Sequence, residues 1–198
     1  DDSPLWTIRL RRKLKATVNE NDNTFWMSFD DFCNAFQTLY VCRWYDPKRW
    51  GTKTVHGMWT LGSGSAGAEE DSYDTAAGLP SKHNPNCEIE SNPQWALHIH
   101  RPTDLKVKFS QTNERGSVGR EVLPFVGFIV RSEVQGTPAR VHSLSKQNII
   151  SDTGQPVREV ERSVYASLSV GTYVLLAGTY VAGMEGPISV EVMSNYNT

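Results

Sequence analysis

Two patterns of apolar and polar positions divide the chain. Up to about residue 44, apolar side chains recur at helical spacing. Trp6, Leu10 and Leu14 fall every four residues and share one helix face. Ser3 and Pro4 stand before them as a helix start, because a hydroxyl can cap free backbone N–H groups and Pro tolerates the first helical position. Arg9, Arg11, Arg12, Lys13 and Lys15 crowd the other faces and the C-terminal half, where positive charge suits the helix dipole. A second helix is predicted from Ser28, with Asp31 three residues on as an acidic capping box. Phe29, Phe32, Cys33 and Phe36 make its apolar stripe. Leu39 to Cys42 reads as strand-like, and Asp46-Pro47 ends whatever precedes it.

From about residue 53 the period changes to two. Trp95, Leu97 and Ile99 alternate with Ala96, His98 and His100; Leu105, Val107 and Phe109 alternate with Lys106, Lys108 and Ser110. Ile188, Val190 and Val192 alternate with Ser189, Glu191 and Met193. Further β-rich runs lie at 125–130, 139–144, 157–168 and 172–177. Each alternating run has one core face and one wetter face. Several short strands at this spacing imply an antiparallel sandwich or barrel. Residues 62–92 are polar and irregular, rich in Gly, acidic residues and Pro, and are expected to form a long mobile loop.

Composition narrows the class. The 198 residues carry 20 basic and 22 acidic side chains, net −2, so no polybasic field calls for nucleic acid. No run approaches a membrane-spanning length. Three cysteines, Cys33, Cys42 and Cys87, match no zinc or redox spacing and read as reduced thiols of a cytoplasmic protein. No signal peptide opens the chain, and Asp1-Asp2-Ser3-Pro4 is expected to lie inside a longer protein.

A thiol protease needs a cysteine, an imidazole base and a group that orients the base. Cys33 and Cys42 sit in apolar runs, where a thiolate is disfavoured. Cys87 follows His83 closely, but both lie in the irregular stretch. Asn84-Pro85 and Asn92-Pro93 read as turn starters. His98 and His100 share a strand face, yet zinc requires three or four ligands. Glu69, Glu70, Asp71 and Asp74 could gather calcium, although they lack EF-hand spacing and better suit a solubilising loop. On residue chemistry alone the chain has no catalytic constellation.

One segment is more specific. Asn21-Asp22-Asn23-Thr24-Phe25-Trp26-Met27-Ser28-Phe29-Asp30-Asp31-Phe32 resembles the end of the second protease subdomain of calpains. Asp1 to Trp6 is similar to the stretch that follows the family's catalytic Asn-Pro-Trp. Gly57-Met58-Trp59 with Gly62 to Gly67 resembles the opening of the calpain C2-like domain. Asn92-Pro93-Gln94-Trp95 and Gly171 to Leu176, then Thr179-Tyr180 and Glu185-Gly186, resemble its later strands.

The resemblance implies a mainly β fold: a C2-like antiparallel β-sandwich of the calpain domain III type, preceded by a short helical segment. Residues 1–45 would be the tail of protease subdomain 2. Residues 46–198 would be the C2-like domain, with its irregular insertion at about 62–92. The parent implied is a calcium-dependent, intracellular cysteine endopeptidase whose Cys, His and Asn precede Asp1, leaving no catalytic residue in this chain. Asp1 and Asp22 fall at two calcium-ligand positions of the family, while Thr24 stands where an acidic ligand is usual. The partners implied are the catalytic subdomains of the same protein, the parent's protein substrates and phospholipid, with a location in the cytoplasm or at membrane surfaces. Two other readings stay open: a stand-alone C2-type or jelly-roll binding module, and a scaffold from a calpain-like protein with replaced catalytic residues.

Overall fold

The structure is a computed structural model and describes residues 7–15, 26–41, 44–62, 74–82, 84–111 and 121–195. The chain divides into two compact units, Asp1–Trp44 and Tyr45–Thr198.

In the first unit two short helices form. Helix α1 (Ile8–Leu14) is capped by Thr7, whose hydroxyl accepts from the Leu10 N–H at 3.2 Å. The helix therefore begins later than the Ser3-Pro4 signal predicts, and Ser3, Pro4 and Trp6 lie outside the described residues. It ends on Lys15 in the left-handed region, φ 50°, with Arg11, Arg12 and Lys13 in its last turn. Helix α2 (Phe29–Ala35) is capped as its sequence predicts. Ser28 Oγ accepts from the Asp31 N–H at 3.0 Å and donates to Asp31 Oδ2 at 2.7 Å. Phe29, Phe32 and Phe36 follow one another along the helix, with ring centroids 6.4 and 4.9 Å apart. Leu39, Tyr40 and Val41 are not a strand; they are irregular and exposed. β-Propensity alone makes no strand without an edge to pair with.

The second unit is an antiparallel sandwich. One sheet has the order β1 (Gly51–Trp59), β11 (Gly186–Ser194), β3 (Thr103–Ser110) and β9 (Glu161–Leu168). The other has β2 (Gln94–Ile99), β10 (Gly171–Thr179) and β4 (Pro124–Arg131). Two short strands, β7 (Ile149–Asp152) and β8 (Val157–Arg158), share the far side of β4. A small hairpin, β5 (Glu133–Val134) and β6 (Thr137–Pro138), turns through Gln135 and Gly136, both at positive φ as a tight two-residue hairpin turn requires.

Alternation builds the inter-sheet core. Leu105, Val107, Phe109, Val164, Ile188 and Val190 of the first sheet are buried in one cluster with Phe125, Ile129, Leu175 and Ala177 of the second. The Val, Leu, Ile and Phe side chains among them each contribute roughly 1.5–3 kcal/mol when fully buried. Trp59 locks the layers: its Nε1 donates to the Ala177 carbonyl at 3.0 Å, and its ring lies 5.9 Å from that of Phe125. Lys108 and Glu191, on the wetter side of the first sheet, pair at 2.5 Å.

The second sheet is buried on both sides. Strands β4 and β10 are continuous apolar runs, so Val126, Phe128, Val130, Val174 and Leu176 point away from the inter-sheet core and still need cover. The cover comes from irregular backbone. Leu79 and Ile89 from one side and Val141 from another bury themselves in this second cluster, with Cys87, Leu144 and Ile149 at its margin. The part of 62–92 that is described is thus packed into the domain, contrary to the expectation of a mobile loop. Residues 63–73 and His83 lie outside the described residues. The run 139–144 is likewise a cover and not a strand.

Two glutamines let irregular backbone lie against the sheets. Gln94 Oε1 accepts from the Val141 N–H at 2.8 Å and its Nε2 donates to the Val141 carbonyl at 3.1 Å. Gln111 does the same for Leu123, at 2.9 and 2.7 Å. Each side-chain amide stands in for a neighbouring strand and satisfies backbone groups that burial would otherwise leave unpaired.

Candidate functional site

The candidate thiols come first. Cys33 is exposed on α2 and not buried as the sequence pattern suggested. Cys42 lies outside the described residues. Cys87 is half-buried, and its Sγ donates to the Gly78 carbonyl at 3.2 Å and the Ala77 carbonyl at 3.6 Å. Burial pushes the Cys87 thiol up from its ordinary value, and the nearby Glu90 and Glu88 carboxylates push the same way; a hydrogen bond with Asn84 opposes them. A nucleophilic cysteine needs the reverse environment, with positive charge and a lowered pKa. Cys87 is a small packing residue held as the protonated thiol.

The imidazoles are engaged elsewhere. His142 Nδ1 lies 3.5 Å from Glu90 Oε1 on the surface. The Glu90 carboxyl is held below its usual range, first by a backbone N–H; desolvation, next in size, pushes upward, and His142 and Arg140 add to the lowering. His98 and His100 stack with centroids 6.4 Å apart and planes 9° from parallel, both exposed. Among the described residues no group of three His, Cys, Asp or Glu side chains is placed to hold a metal ion.

Of the acidic candidates, Asp1, Asp22, Glu69, Glu70 and Asp71 lie outside the described residues. Asp74 is described. Its Oδ1 accepts from the Ala76 N–H at 2.9 Å, a local turn that steers the chain into the cover of the second sheet. It also borders a shallow hollow of about 180 Å³, together with Asn84, Asn86, Cys87, Glu88 and Ser91. Its acidic side chains, Asp74 and Glu88, do not make one of the clusters of three that could hold a metal ion.

The Asn-Pro motifs have structural work. Asn84 Nδ2 donates to the Ala77 carbonyl at 2.8 Å. Asn92 is fully buried, and its Nδ2 donates to the Gly78 carbonyl at 2.8 Å and the Ile89 carbonyl at 3.3 Å. Gly78 sits at φ +73°, and a Cβ there would lie 2.6 Å from the Ala182 nitrogen. That turn therefore accepts only glycine, and Asn92 pins it.

Two further recesses were not anticipated from the sequence. Two adjoining grooves of about 520 and 540 Å³ open where the edges of β1 and β2 face each other. Lys53, Leu97, His98 and Val192 border both. The signal available in the sequence was Lys53 itself, a charge at a position of β1 whose neighbour Val55 packs into the core.

The geometry thus defines a β-sandwich module without a reactive cluster among its described residues. Residues 1–43 match the sequence model of the calpain family cysteine proteases. The chain is calpain-like, and the resemblance covers nearly all of it. Mouse calpain-5 is 26% identical over 196 residues, covering 93% of this chain and 28% of that protein. The human calpain-2 catalytic subunit is 24% identical over 223 aligned positions, covering 98% of this chain and 29% of that protein. The calpain-type cysteine protease DEK1 of Zea mays is 39% identical over 99 residues, which is 50% of this chain and 4% of that protein. The chain therefore spans less than a third of the length of each of these relatives. No helix among the described residues is long and apolar enough to cross a membrane.

Proposed function

We propose that this chain is a non-catalytic part of a calpain-like, calcium-dependent cysteine endopeptidase. In this reading residues 1–45 close the second protease subdomain. Residues 46–198 are the C2-like domain, which braces and regulates the protease core and meets calcium or phospholipid in the intact protein. The observation that carries the reading is the match of residues 1–43 to the protease family, joined to a sandwich whose described thiols and imidazoles are not set up for hydrolysis.

The helical unit supports it physically. Neither helix has a buried residue. Phe29, Tyr40, Val41 and Trp44 are 77, 92, 78 and 78% exposed. So many large apolar side chains mark a surface that needs covering. The catalytic subdomains of the parent are the covering partner proposed here.

The test is made in the intact parent protein. Phe29→Ser with Phe36→Ser should lower its melting temperature and its calcium-activated cleavage of casein together. A double variant with wild-type stability and activity would remove the bracing role. Calcium titration of the same parent by calorimetry, with and without Asp22→Ala, reports separately on the ion.

A further inference from the structure

The grooves between β1 and β2 coincide with a stretch of open backbone. In an antiparallel strand alternate residues turn their peptide groups away from the neighbour. On β1 the even-numbered residues do so. The His56 carbonyl accepts from Trp95 Nε1 at 3.4 Å, and the Met58 carbonyl accepts from Thr75 Oγ1 at 2.6 Å. Both acceptors lie on the side away from β11, and side chains have closed that half of the edge. Gly57 makes the closure possible, since a Cβ there would stand 2.7 Å from the Trp95 ring. The other half, at Thr52 and Thr54, has no such plug among the described residues.

Open backbone and groove meet at the same place. The groove beside Gly51–Lys53 has an apolar floor that includes Leu97, Leu105 and Val192. Its rim carries Lys53, His98, His100 and Arg101, and no carboxylate among the described residues borders either groove. Lys53 points into the mouth between the sheets, on the same face of β1 as Val55, which packs on the core. An uncharged edge pairing here would desolvate the Lys53 ammonium without a counter-charge, which guards against indiscriminate pairing. It also selects for an acidic strand.

We infer that the open half of β1 and the basic groove beside it receive an extended acidic segment of a partner protein, added as a further strand. Main-chain hydrogen bonds to Thr52 and Thr54 hold the segment. One apolar side chain enters the groove over Leu97 and Val192, and flanking carboxylates meet Lys53 and His98. This is strand addition, in which backbone pairing supplies affinity and the pocket and charges supply choice.

The probe is a fluorescently labelled peptide that alternates Glu or Asp with Val or Leu, titrated against the full chain by polarisation. Its counterpart with Lys in place of the acids is the control. The acidic peptide should bind and the lysine peptide should not. Lys53→Glu should weaken binding about tenfold, with Lys53→Gln in between. Thr54→Pro removes an edge N–H that points to solvent, so it should leave the melting curve unchanged and still weaken the peptide. Equal binding of both peptides would overturn the inference. So would wild-type affinity in folded Lys53→Gln or Thr54→Pro protein. Co-sedimentation with phosphatidylserine vesicles in the absence of any peptide binding would assign the groove to a lipid surface and overturn it as well.

Discussion

Gly127 on β4 decides how closely the two sheets approach. A Cβ built there falls 2.4–2.5 Å from three atoms of the Phe109 ring, where ordinary van der Waals contact begins near 3.4 Å. The ring would have to move by about 1 Å. Phe109 is fully buried among the side chains of both sheets and cannot swing into water. Overpacking of this kind costs about 1–3 kcal/mol. Replacing glycine by alanine in a strand returns roughly 0.5–1 kcal/mol through the unfolded chain. The clash wins, so Gly127→Ala should destabilise the sandwich by about 1–2 kcal/mol. For a unit of this size that lowers the melting temperature by about 2–8 °C.

Urea unfolding followed by circular dichroism measures the loss. A second substitution isolates the mechanism. Phe109→Leu alone opens a cavity and destabilises. In the Gly127→Ala background the shorter side chain makes room for the new methyl, so the two losses should overlap by at least about 1 kcal/mol. Strict additivity, or a Gly127→Ala protein more stable than wild type, would refute the steric reasoning.

Gln94→Ala should cost about 1–3 kcal/mol in the same unfolding experiment, because it strands the buried N–H and carbonyl of Val141. Cys87 should react with iodoacetamide more slowly than exposed Cys33 near neutral pH, its rate still climbing above the pH at which an ordinary thiol levels off; mass spectrometry of the labelled peptides reads this. The sign for stability follows. With the folded pKa raised, the contribution of Cys87 is intact below the unfolded thiol's pKa and is lost as pH rises through the folded value, so the melting temperature of wild type should fall relative to Cys87→Ala across that alkaline window.

The alternating strands β2, β3 and β11 were legible because each has one buried face and one wetter face. Continuous runs in β4 and β10 carried a further message. Strands apolar at every position are buried on both sides, so something must cover the outside of their sheet. What covers it was hidden, because the cover has no period: Ala76, Leu79, Ile89 and Val141 are isolated apolar residues in polar sequence, held by amide side chains. The Ser28 cap was readable since the capping box is local. The α1 start was not, because Thr7 could cap as well as Ser3 and only the fold chooses. The groove was not, since it joins Lys53 to residues more than forty positions away in sequence.

The account's central claim is that this chain, calpain-like in sequence, sets up no hydrolytic centre among its described residues. The direct measurement is incubation of the purified 198-residue chain with casein at millimolar calcium, with and without iodoacetamide. The account predicts intact casein in every lane. Calcium-dependent cleavage that iodoacetamide abolishes would contradict it.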